Sequence, residues 1–113
     1  MRRFASTVLV ALALVLAGIP ALAVATPADA ATVRTWERLA HCESSGRWHI
    51  NTGNGYYGGL QFSRSTWNAF GGRRFARVAS RATKREQIRI AERVKRAQGW
   101  GAWPACSARI GKR

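Results

Sequence analysis

The chain has 113 residues, with 19 lysines and arginines against five acidic residues, a net charge of +14, two cysteines and five tryptophans. That length leaves room for one small domain, and so few carboxylates restrict any acid–base chemistry to a handful of groups. No pattern implies a cofactor, and two cysteines with His41 and His49 in poor ligand spacing argue against zinc.

In chain order, Arg2 and Arg3 form a basic start, Val8 to Ile19 an apolar run, and Ala28-Asp29-Ala30 a small-x-small cleavage pattern. Residues 1–30 therefore read as a secretory signal peptide and residues 31–113 as the working domain. The apolar run is shorter than the ~20 residues a bilayer-spanning helix needs, and Pro20 follows it. Loss of this segment removes Asp29, so the remainder contains no aspartate. A domain this short buries only about 60% of its unfolded surface and needs reinforcement. All five tryptophans and both cysteines fall within it, and in an oxidising compartment Cys42 and Cys106 most simply form one disulfide.

The first predicted helix starts at a Thr35 cap, with Glu37 in its first turn and Trp36, Leu39 and Ala40 on one apolar face, and ends near Glu43. Between Ser44 and Phe62 the composition turns to Ser, Asn, Gly and Tyr. There Asn54-Gly55 reads as a hairpin turn and Gly58-Gly59 as a place of close backbone approach. A second helix runs from a Ser63 cap through Trp67 to Phe70 and stops at Gly71-Gly72. The third has the clearest signature, a capping box from Thr83 to Glu86, a buried stripe of Ile90, Ala91, Val94 and Ala97, and Gly99 as its stop.

Among the acidic residues Glu43 stands out, at a helix end between Cys42 and Ser44, just ahead of the Gly- and aromatic-rich stretch. A glutamate facing a groove of tyrosine and tryptophan has its pKa raised by the apolar surroundings and can protonate a leaving oxygen. Such a groove suits a sugar polymer: aromatic faces stack on pyranose rings, and Asn51, Asn54, Gln61 and Thr66 offer hydrogen bonds. Tyr57 and Trp103 join Asn51, Gln61 and Thr66 as candidate substrate-binding residues, whereas Trp36, Trp67 and Trp100 read as core. A second catalytic carboxylate is hard to find. Glu37 precedes Glu43 by six residues, about 240° round a common helix; Glu86 is explained by capping and Glu92 by the solvent side. This favours one acid that first donates a proton and then takes one from a nucleophile, in place of paired carboxylates.

The runs Trp36-Glu37-Arg38-Leu39-Ala40-His41-Cys42-Glu43-Ser44-Ser45-Gly46, Asn51-Thr52-Gly53-Asn54-Gly55-Tyr56-Tyr57-Gly58-Gly59-Leu60-Gln61-Phe62, Ser65-Thr66-Trp67 and Gln98-Gly99-Trp100-Gly101-Ala102-Trp103-Pro104-Ala105-Cys106 closely resemble the catalytic domain of actinobacterial resuscitation-promoting factors. The resemblance covers Thr35 to Cys106. It implies an α+β, mainly α, compact lysozyme-like domain with a few short helices, a small irregular ribbon and one disulfide, secreted to the cell wall. There it would cleave peptidoglycan between N-acetylmuramic acid and N-acetylglucosamine, with roles in wall remodelling and resuscitation from dormancy. The family's catalytic glutamate falls on Glu43 and its structural disulfide on Cys42 and Cys106. Some members act with partner endopeptidases. Ser45 departs from the glycine of many members.

A different class of reading is a non-catalytic, cationic wall-binding module. Residues 73–96 carry a dense run of arginine and lysine, which would hold a protein on an anionic envelope. Nucleic acid suits the charge but not the export signal. A monomer is expected.

Overall fold

The computed structural model describes residues 30–113; the expected signal peptide, save its last residue, lies outside the described residues. Helix α1 (Val33–Ser44) leads into a two-stranded antiparallel ribbon, β1 (Tyr56–Tyr57) and β2 (Phe62–Ser63), paired Tyr56 to Ser63 and Tyr57 to Phe62. Helix α2 (Arg64–Ala69), two 3-10 turns (Gly72–Arg74 and Ala79–Arg81) and the long α3 (Lys84–Gln98) follow, then a third 3-10 turn (Trp100–Ala102) and α4 (Pro104–Arg109). This is the mainly helical α+β domain with one disulfide expected of a lysozyme-like fold. No helix among the described residues is long and apolar enough to cross a membrane.

Side-chain caps explain where three of the helices begin. Ser63 accepts from Thr66 N–H at 3.1 Å at the start of α2. Thr83 and Glu86 form the reciprocal capping box of α3, each side chain accepting from the other's backbone N–H. The start of α1 differs from expectation. Thr32, not Thr35, is its cap, accepting from Thr35 N–H at 3.2 Å, so Glu37 lies beyond the first turn, where it ion-pairs with Lys84. Asn54-Gly55 is not the hairpin turn either. Asn54 Oδ1 accepts from Tyr56 N–H at 3.0 Å and steers the chain into β1, while the reversal falls on Gly58–Gln61, with Gln61 at φ 56°. The α4 helix, with proline in its first turn, went unpredicted.

The core is aromatic. Trp36 is fully buried, with its ring centroid 5.1 Å from Trp100 and 5.3 Å from Trp103; Phe62 lies 5.3 Å from Trp67. Leu39, Leu60, Ile90, Ala91 and Val94 fill the space between them. The α3 stripe stops at Val94, because Ala97 sits on the exposed last turn.

Two buried polar groups fasten the ribbon. Gln87, fully buried on α3, accepts from Gly59 N–H at 3.0 Å and donates to Trp48 O at 2.8 Å and Ala82 O at 3.1 Å. Ser44 shares its hydroxyl proton between Gly59 O at 2.9 Å and Ala40 O at 3.0 Å. Glycine is required at the tip: a Cβ on Gly59 would lie 2.5 Å from the Trp48 ring, and Gly58 has φ +82°.

Glu92 corrects a further expectation. It faces inward, its Oε2 accepting from Trp36 Nε1 at 2.8 Å and Ala31 N–H at 2.9 Å. Its Oε1 accepts no hydrogen bond and is met by the Lys95 ammonium at 3.4 Å. Glu92 is thus a clamp joining the first described residues to α3.

Candidate active site

Glu43 lies on the last turn of α1. It is seven residues beyond Trp36, which at 100° per residue returns it to within about 20° of the same face. Leu39 and Ala40 complete that stripe and are fully buried, so Glu43 continues the core-facing row at the point where the helix ends. Two restraints hold this turn. On one side the Cys42–Cys106 disulfide joins it to α4, with Cα atoms 5.8 Å apart. On the other, the Ser44 hydroxyl fixes it to Gly59 at the ribbon tip. The bridge closes a loop spanning 64 positions, which by chain entropy contributes about 4 kcal/mol.

Glu43 is half-buried, and burial raises its pKa above the ordinary carboxylate range. No hydrogen bond or ion pair among the described residues reaches its carboxyl group. The other three side-chain carboxylates described all have partners: Glu37 pairs with Lys84, Glu86 caps α3, and Glu92 clamps Trp36. The structure therefore sets one unengaged, desolvated carboxyl apart from three that serve the scaffold.

Gln61, Thr66 and Trp103 come together as expected, lining a cavity of about 100 Å³ with Tyr56, Phe62, Ser63 and Gln98. Glu43 does not line this cavity but is linked to it through short steps of chain. Ser44 binds Gly59, Trp103 Nε1 donates to Leu60 O at 3.0 Å, and Gln61 follows. Trp103 is mainly a core residue, 5% exposed, with only part of its surface on the cavity. Tyr56, half exposed, offers an open aromatic face, and it was missed in favour of its neighbour. Side chains alternate along a strand, so the choice between two adjacent tyrosines depended on a register that the sequence leaves open. Gln98 was missed as well; its place at the end of α3, just before Gly99, was the available signal.

Asn51 and Tyr57 lie elsewhere. They line a groove of about 500 Å³ with Arg64, Arg77, Val78 and Arg81. A broader hollow, about 760 Å³, lies between α1 and α4 and is lined by Arg34, Glu37, Arg38, His41, Cys42, Arg109 and Ile110. It faces away from the Trp36 and Glu43 stripe, so its size does not mark it as the reactive site.

Comparison with known proteins identifies the family. Residues 30–106 match the transglycosylase-like domain family. The chain is 60% identical over 94 residues to the resuscitation-promoting factor Rpf1 of Corynebacterium glutamicum, a match covering 83% of this chain and 49% of that protein. It is 56% identical over 96 residues to Rpf of Micrococcus luteus, covering 85% and 42% respectively. To RpfB of Mycolicibacterium smegmatis it is 58% identical over 79 residues, covering 70% and 22%. The chain spans about half or less of the length of these relatives. The match across most of the chain places it in the transglycosylase-like domain family, as a domain of the resuscitation-promoting-factor type.

Proposed function

We propose that this domain is secreted to the cell wall and cuts the glycan strand of peptidoglycan between N-acetylmuramic acid and N-acetylglucosamine, with Glu43 as the single acid and base. The observation that carries this reading is the isolation of Glu43: half-buried, raised in pKa by desolvation, and without a partner. A carboxyl group that holds its proton more tightly than an ordinary glutamate can pass it to the glycosidic oxygen as the bond from that oxygen to the anomeric carbon breaks. The resulting carboxylate then takes the proton of the attacking hydroxyl, which is the 6-hydroxyl of the muramoyl sugar or a water. With the first nucleophile the product is an anhydro-sugar, and with the second a reducing end. Glu37, Glu86 and Glu92 are engaged elsewhere, which supports a single-carboxylate route.

Tyr56 supplies a stacking face, and Gln61, Thr66 and Gln98 supply donors and acceptors for hydroxyl and acetamido groups. Relatives named as resuscitation-promoting factors support a role of the released fragments, or of the wall remodelling itself, in waking dormant cells. The test is Glu43→Gln, which keeps the side chain's shape but removes the titrating proton. Release of soluble muropeptides should fall by about 10²–10⁴-fold while the folded signal by circular dichroism is retained. In the wild type, the rate should fall with rising pH as Glu43 loses its proton, at a higher pH than an ordinary glutamate would give. Near-normal release by the variant would overturn the assignment of Glu43, whereas wall binding with no release by the wild type would favour the cationic wall-binding module instead.

A further inference from the structure

The basic segment has no part in the chemistry above, yet its charges are not spread evenly. Arg64, Arg77 and Arg81 line the groove of about 500 Å³ with Asn51 and Tyr57. Arg64 and Arg77 also line an adjoining hollow of about 90 Å³ with Arg73 and Asn68. Four guanidinium groups therefore border two hollows that share Arg64 and Arg77, and neither hollow has an acidic residue in its wall. All four arginines are exposed, and none ion-pairs with a carboxylate among the described residues. Like charges gathered without a counter-charge repel one another, and a bound anion relieves that cost.

Two details narrow the ligand. Every cation here is arginine, whose planar fork fits the two oxygens of a carboxylate, and Asn51 and the Tyr57 hydroxyl add groups suited to a peptide. Arg64 is already oriented, stacked 5.7 Å from the Tyr57 ring centroid and donating to its hydroxyl at 3.3 Å. The groove lies across β1 from the proposed sugar cavity, since Tyr56 lines the cavity and the next residue, Tyr57, whose side chain alternates to the other side of the strand, lines the groove. A ligand occupying both must branch. In peptidoglycan, a stem peptide leaves the lactyl group of each muramic acid and carries free carboxylates. An extended stem of four residues reaches about 14 Å.

We propose that the arginine groove formed by Arg64, Arg73, Arg77 and Arg81 binds the free carboxylates of the peptide stems, making the enzyme selective for stem-bearing glycan. This rests on the reading of the domain as a peptidoglycan glycosidase.

The test compares the wild type with the double variant Arg77→Gln/Arg81→Gln, whose replaced side chains make no hydrogen bond or ion pair among the described residues, so that folding persists. Both proteins are given stem-bearing glycan, the same glycan stripped of stems by an amidase, and stem-bearing glycan with amidated carboxylates. Binding of the isolated tetrapeptide stem is measured in parallel. The wild type should cleave stem-bearing glycan about tenfold more efficiently than either of the others, and the variant should lose that preference while cutting stripped glycan normally. Equal rates on all three substrates, or a preference that survives in the variant, would overturn the proposal and leave the glycosidase reading intact. Wild-type cleavage of no glycan would instead remove the glycosidase reading, with tetrapeptide binding still reporting on the groove. Wall retention that disappears when phosphodiester polymers are stripped, with unchanged substrate preference, would assign the arginines to those polymers and also overturn the proposal.

Discussion

The end of α1 presents a half-buried carboxylate and the middle of α3 a largely buried one, and the two are treated in opposite ways. Glu92 on α3 receives hydrogen bonds from Trp36 and Ala31 and the charge of Lys95. Glu43 on α1 receives nothing. Burial alone does not separate a structural from a reactive acid; the number of donors turned toward it does. A carboxylate met by donors is held in place, whereas one met by apolar surface holds its proton more tightly.

Paired substitutions test this contrast. Glu43→Gln should remove the activity by the large factor given above while leaving the fold unchanged. Glu92→Gln should do the reverse, lowering stability by about 3 kcal/mol because the Lys95 ammonium, only 8% exposed, loses its partner charge. Its turnover per folded molecule should remain near normal, and denaturant unfolding with activity corrected for folded fraction checks both halves. A Glu92→Gln variant that was stable but inactive would break the comparison.

Gln87 sharpens it with an uncharged side chain. Gln87→Leu leaves Gly59 N–H, Trp48 O and Ala82 O without this partner and should cost about 2 kcal/mol in a urea melt. Because Gly59 anchors the ribbon tip beside Glu43, activity should fall more than the lost folded fraction explains. The smallest effect is expected at Ser45, which caps α1 with φ 58°. Ser45→Gly removes the left-handed strain and should stabilise by about 0.5–1 kcal/mol in the same melt, offset partly by the freer unfolded chain.

What the sequence disclosed follows the range of the interactions. The Ser63 cap, the Thr83–Glu86 box and the Gly99 stop are local, with every partner within four residues, and each lies where the sequence places it. The start of α1 was misread because Thr32 and Thr35 are both competent caps three residues apart, and the choice goes with a contact from Ala31 to Glu92, 61 positions away. Glu92 itself looked like a surface residue for the same reason, since its partner Trp36 is 56 positions distant. In the candidate site, residue type and motif point to Glu43, Gln61 and Thr66, and the structure places the first at the end of α1 and the other two in one cavity. Tyr56 was not legible, since choosing it over Tyr57 required a strand register set by a turn at Gly58–Gln61 that the more obvious Asn54-Gly55 concealed. The segregation of Asn51 and Tyr57 among the arginines likewise arises only once the 3-10 turns bring Arg77 and Arg81 against the ribbon.

The sulfur bridge between Cys42 and Cys106 has a topological effect beyond its contribution to stability. It makes a covalent ring of most of the domain, from the turn that bears the proposed acid through the ribbon and α3 to α4. A protease that nicks the ring once, even in the arginine-rich stretch most open to trypsin-like attack, leaves its two pieces tethered and able to re-dock. Only a second cut within the ring, or reduction of the bridge, would let a fragment escape.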